Sequence, residues 1–397
     1  MRGQRTRALW LVAALGVTLA LSACGGKAAT NTTGSAASTA PIKIGAVVSL
    51  TGTYAGLGAP EQAVIELEVA RINKAGGING RQIEVIFEDD GTDEAKAVAA
   101  ASKLISQDKV IALIGASGTG QTMAMRAEAD KAGIPQVSMA GGTAVTQQFD
   151  KLVFQTPWSN TIVVPFVLDY LKSQSLSKVG LITDSGAYGK DGKAIIEAEA
   201  PKYGIEITDK ETFNPGDTDM TSQLTKIKSS GATAILMWTA GKEASTIAKN
   251  RQQLSMAQPL VGGSGIARTQ FIEGAGEAAN GVVFGTGKSL MPESWGTTTE
   301  NYAVVKDFSD RFAAANKGVK PDIFAGHAYD AINIIADAMK RLPADFTSAQ
   351  LRDEIEKTDG FVGFGGLFTF TATDHNGLSA DDLTMYRITD GVWTLDK

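Results

Sequence analysis

The stretch of sequence that decides the fold runs from residue 110 to residue 146 and reads VIALIGASGTGQTMAMRAEADKAGIPQVSMAGGTAVT. Two short apolar runs, residues 110–114 and 134–138, predict buried parallel strands. The Ala- and Met-rich segment between them predicts a helix of about 13 residues, so the whole is a βαβ unit. A glycine-rich loop of small residues follows each strand, and we name these loops loop A (residues 115–120) and loop B (residues 139–143).

Loops A and B predict a binding site for a small molecule. Ligands of open α/β sheets bind outside the carboxyl ends of the strands, and both loops follow such ends. The backbone N–H groups of residues 117–120 point out of a helix N-terminus, where the helix dipole favours an anionic group such as a carboxylate. The alternative is that these small residues only permit tight turns between strand and helix.

The first 23 residues have the pattern of a secretion signal. Arg2, Arg5 and Arg7 precede an apolar run, residues 8–23, that is too short to span a bilayer comfortably. The run ends in Leu-Ser-Ala before Cys24, which resembles a bacterial lipobox, in which the cysteine is lipid-modified and becomes the new N-terminus. Cys24 is the only cysteine of the sequence, so no disulfide can form within the chain. We therefore expect a secreted protein, anchored through a lipid on Cys24 to the outer face of the cytoplasmic membrane.

Composition limits the partners and the number of domains. Residues 25–40 are rich in Gly, Ala, Ser and Thr, which predicts a flexible linker. Removal of the signal's three arginines from the 37 basic residues leaves 34 against 43 acidic residues, a net charge of −9. This charge argues against nucleic acid as a partner and against wide contact with anionic lipid. About 355 residues remain to fold, which is too many for one ordinary core, so we expect two domains.

The rest of the sequence alternates strand and helix patterns, which predicts parallel α/β sheets. Before residue 110 we expect strands at 42–49 and 82–88, helices at 60–74 and 94–107, and a loop at 50–59. After residue 146 the expected strands are 178–183, 205–211, 234–238, 258–262 and 281–285, and the expected helices are 163–173, 189–203, 220–229, 244–253, 301–316 and 325–341.

Several motifs in this order together resemble a known family. They are IKIGAVVSLTG from residue 42, INKAGGINGRQIEVIFEDDG from 72, DEAKAVAAASKLI from 93, VIALIGASGTG from 110, IPQVSMAGGT from 134, LVFQTPWSN from 152, KVGLITDSGAYGKDG from 178 and YRITDGVW from 386. Each motif is weak alone, but their order and spacing resemble the leucine/isoleucine/valine-binding class of type I periplasmic solute receptors. Such receptors serve ABC transporters of the branched-chain amino acid kind.

The resemblance implies an α/β fold of two Rossmann-like lobes with parallel sheets, joined by a hinge that the chain crosses several times. A signal peptide (1–23) and an anchor with its linker (24–41) would precede the lobes. Lobe 1 would comprise 42–160 and 286–380, and lobe 2 would comprise 161–285 and 381–397, including final strands at 385–388 and 393–395. The ligand would sit in the cleft between them, where closure buries it.

The function implied by the resemblance is ligand capture without chemistry and without a cofactor. The protein would bind a small carboxylate-bearing solute, a branched-chain or other amino acid, and hand it to the permease subunits of an ABC transporter. Two alternatives stay open. One is a receptor for aromatic or other non-amino carboxylates or amides, and the other is a ligand-sensing module that reports to a separate membrane partner.

The same resemblance assigns ligand contacts to loops A and B, which would hold the ligand's carboxylate and amino group. These positions are Ser117, Gly118 and Thr119 in loop A, and Ala140, Gly141, Gly142 and Thr143 in loop B. Tyr188 matches a position that reaches across the cleft on closure, although exposed loop tyrosines are common. Trp238 ends an apolar strand, so it either covers the ligand's side chain or fills the core.

Two further positions bear on which solute is bound. Where the family commonly has an acidic residue that holds the ligand's ammonium group, this chain has Ser264 in the sequence Gly-Gly-Ser-Gly. A serine hydroxyl lacks the charge-assisted bond of a buried carboxylate, which contributes about 1.5–3 kcal/mol, so amino-acid binding would weaken roughly 10- to 100-fold unless another group compensates. His327, at the start of a predicted helix, either has a structural role or binds a ligand carboxylate or hydroxyl.

Enzyme functions have weaker support in the sequence. Loop A lacks the G-x-G-x-x-G order of a dinucleotide-binding loop, and no G-x-S-x-G motif occurs. The two histidines, His327 and His375, are far apart in sequence, which supports neither a Ser-His-Asp triad nor a His-based metal site. The acidic pairs at 89–90 and 381–382 are typical of caps and turns. A glycosidase needs two carboxylates that face each other across a cleft, and the sequence leaves that arrangement open.

Overall fold

The computed structural model describes residues 40–147 and 150–396. The predicted signal peptide, Cys24 and the linker up to residue 39 lie outside the described residues. Within the two described ranges, no helix is both long enough and apolar enough to cross a membrane.

The described residues form alternating strands and helices. The strands are β1 (Ile42–Val48), β2 (Ile83–Asp89), β3 (Leu113–Gly115), β4 (Gln136–Ser138), β5 (Val153–Gln155), β6 (Lys178–Asp184), β7 (Glu206–Phe213), β8 (Ala234–Trp238), β9 (Leu260–Gly262), β10 (Val283–Gly287), β11 (Phe361–Val362), β12 (Leu367–Phe368), β13 (Leu383–Thr389) and β14 (Val392–Leu395). The helices are α1 (Ala55–Lys74), α2 (Glu94–Lys103), α3 (Thr119–Ala132), α4 (Ala144–Gln147), α5 (Asn160–Ser173), α6 (Ala187–Glu199), α7 (Thr221–Ser229), α8 (Glu243–Gln253), α9 (Thr269–Ala275), α10 (Glu300–Ala315), α11 (Ile323–Lys340) and α12 (Ser348–Glu356).

Twelve of these strands form two large sheets, and β11 and β12 pair separately. The first has the order β2-β1-β3-β4-β5 and is entirely parallel. The second has the order β14-β13-β10-β9-β8-β6-β7; it is parallel from β10 to β7, whereas β13 and β14 pair antiparallel at one edge. Every residue of β3, β4, β5, β8, β9 and β10 is buried.

The chain passes between the two sheets more than once. It leaves the first sheet after β5 and enters the second at β6, and after β10 it continues into α10 and α11. Helix α11 packs on α1, whose flanking strands β1 and β2 belong to the first sheet, and the chain then returns to the second sheet at β13. The predicted α/β class with two parallel-rich sheets is confirmed, whereas the exact lobe boundaries stay a prediction.

The start of helix α1 differs from the prediction. Residues 50–59 were expected to form a loop and the helix to begin at residue 60, but α1 begins at Ala55 and contains Pro60. Its first turn packs tightly on the end of β1, since a Cβ atom on Gly58 would lie 2.2 Å from the Ser49 carbonyl oxygen. Glycine usually weakens a helix. Here it allows a close approach between helix and strand that propensity does not reveal.

Several short elements escaped the sequence analysis. Strand β5, helices α4, α9 and α12, and the hairpin of β11 and β12 (an antiparallel pair) were not predicted. Strands of two or three residues are too short to show an alternating pattern, and α4 has only four residues. Helix α2 also ends earlier than expected, at Lys103, where a π-helical turn follows.

Candidate ligand-binding site

A cavity lies among the carboxyl ends of strands from both sheets. The lining from the first sheet and its helices comprises Tyr54, Leu57, Ser117, Gly118, Thr119, Met139, Gly141, Pro157, Trp158, Ile323, Phe324 and His327. The lining from the second sheet and its connections comprises Tyr188, Ala240, Ser264 and Gly265.

Loop A ends at the N-terminus of α3, which begins at Thr119. The first N–H groups of a helix have no acceptor within that helix, and the helix dipole makes this end favourable for an anion. A Cβ atom on Gly118 would lie 2.2 Å from Gln121 Oε1 and 2.7 Å from the Tyr54 ring, so only glycine fits there. The small residues of loop A therefore permit a tight turn, and they also leave the helix end open to the cavity.

The Ser117 hydroxyl is engaged within the protein. It accepts a hydrogen bond from the Ser49 N–H at 3.0 Å, and it donates a hydrogen bond to Glu61 Oε2. Both partners are buried. The hydroxyl thus joins the end of β1, helix α1 and loop A, and its proton is not available to a ligand.

Glu61 belongs to a group of buried carboxyls behind the lining. Burial raises the pKa of Glu61 well above its usual range, although the hydrogen bond from Ser117 acts in the opposite direction. Burial also raises the pKa of Asp90, whose Oδ1 accepts bonds from the Ser49 hydroxyl at 2.6 Å and the Thr92 N–H at 2.8 Å. Burial raises the pKa of Asp322, at the start of α11, to about 6.

The Thr119 hydroxyl differs from that of Ser117 because it only accepts a hydrogen bond from the described residues, so it can still donate one to a ligand. Thr119 Oγ1 accepts a hydrogen bond from the Gly142 N–H at 3.2 Å, which joins loop A to loop B. A Cβ atom on Gly142 would lie 2.4 Å from Thr119 Cγ2. Gly142 therefore lies against Thr119 and does not line the cavity.

Only Gly141 and Met139 of loop B line the cavity. Ala140 is buried in a small apolar cluster, and its carbonyl accepts a bond from Gln155 Nε2 at 2.7 Å. The Thr143 N–H donates to Asp191 Oδ2 at 2.8 Å, and Thr143 Oγ1 accepts from the Ser159 hydroxyl at 3.3 Å. Ala140 and Thr143 thus make protein contacts beside the cavity.

Asp191 on α6 connects loop B to the second sheet. Besides the Thr143 N–H, its Oδ2 accepts a bond from Asn160 Nδ2 at 2.7 Å. Asn160 Oδ1 in turn accepts from Trp238 Nε1 at 3.2 Å, and the Trp238 ring stacks on Tyr188 with 6.4 Å between centroids. We name this chain of contacts the Asp191 bridge.

Trp238 lies behind the lining, whereas Tyr188 is part of it. Trp238 is fully buried, and its ring leaves no room for a Cβ atom on Gly263 or Gly192. Burial raises the pKa of Tyr188, so its hydroxyl stays protonated at neutral pH. Tyr188 can therefore donate a hydrogen bond, and Trp238 supports it from behind.

His327 and Trp158 carry ring nitrogens without a partner. His327 Nδ1 and Trp158 Nε1 are both buried and have no hydrogen-bond partner among the described residues. The two rings meet edge to face with 5.6 Å between centroids. Burial lowers the pKa of His327 to about 3, so the imidazole is neutral at physiological pH.

Ser264 and Arg268 complete the second sheet's side of the site. The Ser264 hydroxyl donates to the Gly285 carbonyl at 3.3 Å, a long bond. Arg268 is buried behind Ala240, donates to the Ala240 and Gly241 carbonyls, and lies 5.9 Å from the centre of the Phe324 ring. Burial lowers the pKa of Arg268 to about 10, which leaves it charged at neutral pH.

Comparison with known proteins shows the family of this chain. A family model described as periplasmic binding protein matches residues 41–391. The chain belongs to the periplasmic binding protein family. It is 28% identical over 354 residues to the Leu/Ile/Val-binding protein homolog 3 of Brucella melitensis. The aligned region covers 89% of this chain and 92% of that protein. The resemblance inferred from the motifs is thereby confirmed, and the protein is a solute-binding protein similar to the Leu/Ile/Val-binding type.

Solved structures of periplasmic binding proteins show the same fold. The branched-chain amino acid transporter substrate-binding protein LivJ of Streptococcus pneumoniae, in complex with isoleucine, is 32% identical with a TM-score of 0.79, over 89% of this chain and 97% of that one. An extracellular ligand-binding receptor from Rhodopseudomonas palustris is 28% identical with a TM-score of 0.84, over 90% of this chain and 99% of that one.

Over half of the lining residues of this periplasmic binding protein were not predicted from the sequence. The missed lining residues are Tyr54, Leu57, Met139, Pro157, Trp158, Ala240, Gly265, Ile323 and Phe324. Some signals were present, since Trp158 follows a strand end and Phe324 lies one helical turn before His327. No sequence pattern indicated Tyr54 as a lining residue, because it lies in a segment that was predicted to be a loop.

Proposed function

We propose that this protein is the receptor of an ABC transporter, which captures a small carboxylate-bearing solute and hands it to the permease. The observation that carries the proposal is the cavity lined by both sheets, onto which the N-terminus of α3 opens. The N–H groups at that end and the Thr119 hydroxyl are suited to hold a carboxylate. The apolar part of the solute would then pack against Leu57, Met139 and Phe324.

Amino acids with apolar side chains are the first ligands to test. The Brucella relative is named for leucine, isoleucine and valine, and the Streptococcus structure contains isoleucine. Their likeness to this chain supports a solute of similar size. This support comes from the similarity of the whole chains and does not depend on any one lining residue.

Closure around the ligand is the mechanism that we propose for capture. Thr143 and Asp191 belong to segments next to different sheets, and their hydrogen bond requires those segments to be close together. A solute that contacts both sides of the cavity would bind the closed form better than an open form and shift the population towards it. No covalent step is involved.

We also propose that a lipid on Cys24 holds the protein at the membrane. The support is the Leu-Ser-Ala-Cys sequence at the end of the apolar run. Expression of the full chain in a bacterium fed with a labelled fatty acid should label the wild type and not Cys24→Ser. Label in both proteins would contradict the anchor but leave the solute-binding proposal intact.

A binding screen followed by an uptake assay tests the receptor function. A chain that begins after residue 24 is screened by thermal shift against amino acids and other small carboxylates. A ligand at 1,000 times its Kd should stabilise the folded state by about 4 kcal/mol. Deletion of the gene should then abolish high-affinity uptake of the ligand that binds. Normal uptake in the deletion strain would instead favour a sensing module.

A further inference from the structure

We propose that the solute bound in this cavity is a carboxylic acid that carries no ammonium group, with a small apolar or aromatic body. This inference rests on the proposed function, namely that the cavity holds a small carboxylate. It deepens that function by separating amino acids from acids of the same shape.

The lining lacks a carboxylate that could pair with an ammonium group. All lining residues lie within the described part of the chain, and none of them is Asp or Glu. Their polar side chains are the hydroxyls of Ser, Thr and Tyr, the indole of Trp158 and the neutral imidazole of His327. An ammonium group buried among them would lose its hydration without gaining a counter-ion.

Three buried carboxyl groups lie outside the lining, those of Glu61, Asp184 and Asp322, and each accepts a hydrogen bond from the protein. Glu61 Oε1 and Asp184 Oδ2 have no hydrogen-bond partner among the described residues. Glu61 Oε2 accepts a hydrogen bond from the hydroxyl of Ser117, and Ser117 lines the cavity whereas Glu61 does not. Asp184 accepts the Gly186 N–H at 2.9 Å, and Asp322 accepts the Ala325 N–H at 2.9 Å as the N-cap of α11. Burial raises the pKa of all three carboxyl groups.

The unpartnered polar atoms of the lining suit a ligand with acceptor oxygens. Trp158 Nε1 can only donate a hydrogen bond, and it is buried with no acceptor in the part of the chain that the structure describes. His327 Nδ1, beside it, is also unpartnered, and a neutral imidazole can donate from one of its nitrogens. A carboxylate, carbonyl or hydroxyl oxygen would satisfy the indole, whereas an ammonium group would not.

The lining is rich in aromatic rings, which suits a flat or branched apolar body. Tyr54, Trp158, Tyr188 and Phe324 all contribute to it. Aromatic faces also attract cations. A quaternary ammonium compound without a carboxylate is therefore the contrasting ligand that the experiment must include.

Pairs of ligands that differ only in the α-ammonium group test the inference. We would titrate the chain that begins after residue 24 with L-leucine and 4-methylpentanoate, and with L-phenylalanine and 3-phenylpropanoate, by isothermal calorimetry at pH 7. Choline serves as the cation without a carboxylate. We expect the desamino acid of at least one pair to bind 10-fold or more tightly than its amino acid.

The other outcomes are distinct. If the amino acid binds as well as or better than its desamino partner in both pairs, the inference is overturned while the proposed function stands. Binding of choline but of no carboxylate would overturn the inference and the carboxylate part of the proposed function. Binding of none of these probes would contradict both.

A charged side chain placed in the lining tests whether the missing counter-ion is the reason that ligands with an ammonium group bind more weakly. Among the described residues the Ser264 hydroxyl makes one hydrogen bond, which is long, so Ser264→Asp introduces a carboxylate where little is lost, and Ser264→Asn is the uncharged control. We expect Ser264→Asp to shift the affinity ratio within a pair towards the amino acid by at least 10-fold relative to Ser264→Asn. Equal ratios in the two variants would overturn the account of the missing counter-ion. If Ser264→Asp fails to fold, the wild-type pairs still decide.

Discussion

Two hydroxyls two residues apart in loop A have different roles, and Ser117 is the structural one. Ser117→Ala would leave the buried Ser49 N–H without its acceptor and Glu61 without its donor. We expect the free energy of unfolding to fall by about 1–3 kcal/mol. Urea unfolding of the ligand-free protein measures this. Unchanged stability together with lost ligand affinity would show that the hydroxyl serves the ligand instead.

Thr119 is expected to serve both the fold and the ligand. Thr119→Val keeps the shape but removes the acceptor of the Gly142 N–H and the proton offered to the carboxylate. We expect ligand affinity to fall about 5- to 10-fold and the free energy of unfolding to fall by about 1 kcal/mol. Thr119→Ser keeps the hydroxyl and should behave nearly as the wild type. Calorimetric titration and urea unfolding of both variants check this, and wild-type affinity in Thr119→Val would place the carboxylate elsewhere.

Asp322 should make stability depend on pH. Burial raises its pKa from 3.8 to about 6, so the folded state binds the proton more tightly than the unfolded state. Its contribution to stability is therefore full below about pH 4 and is lost as the pH rises through 6, a difference of up to about 3 kcal/mol. Asp322→Asn keeps a side-chain acceptor for the Ala325 N–H but cannot ionise.

Unfolding of Asp322→Asn and the wild type at several pH values measures this effect. We expect the variant to gain stability relative to the wild type between pH 4 and pH 8. A difference between the two proteins that does not change with pH would show that the carboxyl titrates normally.

At the scale of elements, the Asp191 bridge joins α6 to loop B and should favour the closed form. Asp191→Ala removes the acceptor shared by the Thr143 N–H and Asn160 Nδ2. We expect the variant to bind ligand about 5-fold more weakly, since about 1 kcal/mol of closed-state contact is lost. Small-angle X-ray scattering should show a larger radius of gyration without ligand.

Asp191→Asn keeps one carbonyl acceptor and is the matched control for this prediction. It should lie between the wild type and Asp191→Ala in affinity. If Asp191→Ala matches the wild type in both affinity and radius of gyration, the bridge does not contribute to closure.

Elements with a clear pattern of apolar residues could be predicted from the sequence, whereas elements whose bounds depend on tertiary contacts could not. Strand β8 was predicted with its observed bounds because five apolar residues form one continuous run. The start of α1 was misplaced because Gly58 serves a close approach to β1 that no local pattern encodes. Loop B was predicted to lie at the site, but only the contacts of Gly142 and Thr143 show that they face protein atoms.

At the scale of the whole molecule, the cavity draws on segments that are far apart in the sequence. Seven predicted site residues lie in one lining: Ser117, Gly118, Thr119, Gly141, Tyr188, Ser264 and His327. Their contact with a ligand stays a prediction. Trp158 was not predicted, because its place in the lining depends on the side of the turn on which its ring lies. Packing of the ring against Gly287, a residue of the other sheet, fixes that side.

The central claim is that this cavity binds the solute, and a variant that fills it tests the claim most directly. Gly141 lines the cavity, and a Cβ atom on it would meet its nearest neighbours at 3.5 Å, an ordinary contact, so Gly141→Leu is the variant that fills the space and Gly141→Ala is the smaller control. Isothermal titration with the tightest-binding carboxylate is the measurement. We predict that Gly141→Leu lowers affinity at least 100-fold, that Gly141→Ala lowers it less, and that the ligand-free Tm of both stays near the wild type. Wild-type affinity in Gly141→Leu would contradict the account, because the solute would then bind elsewhere.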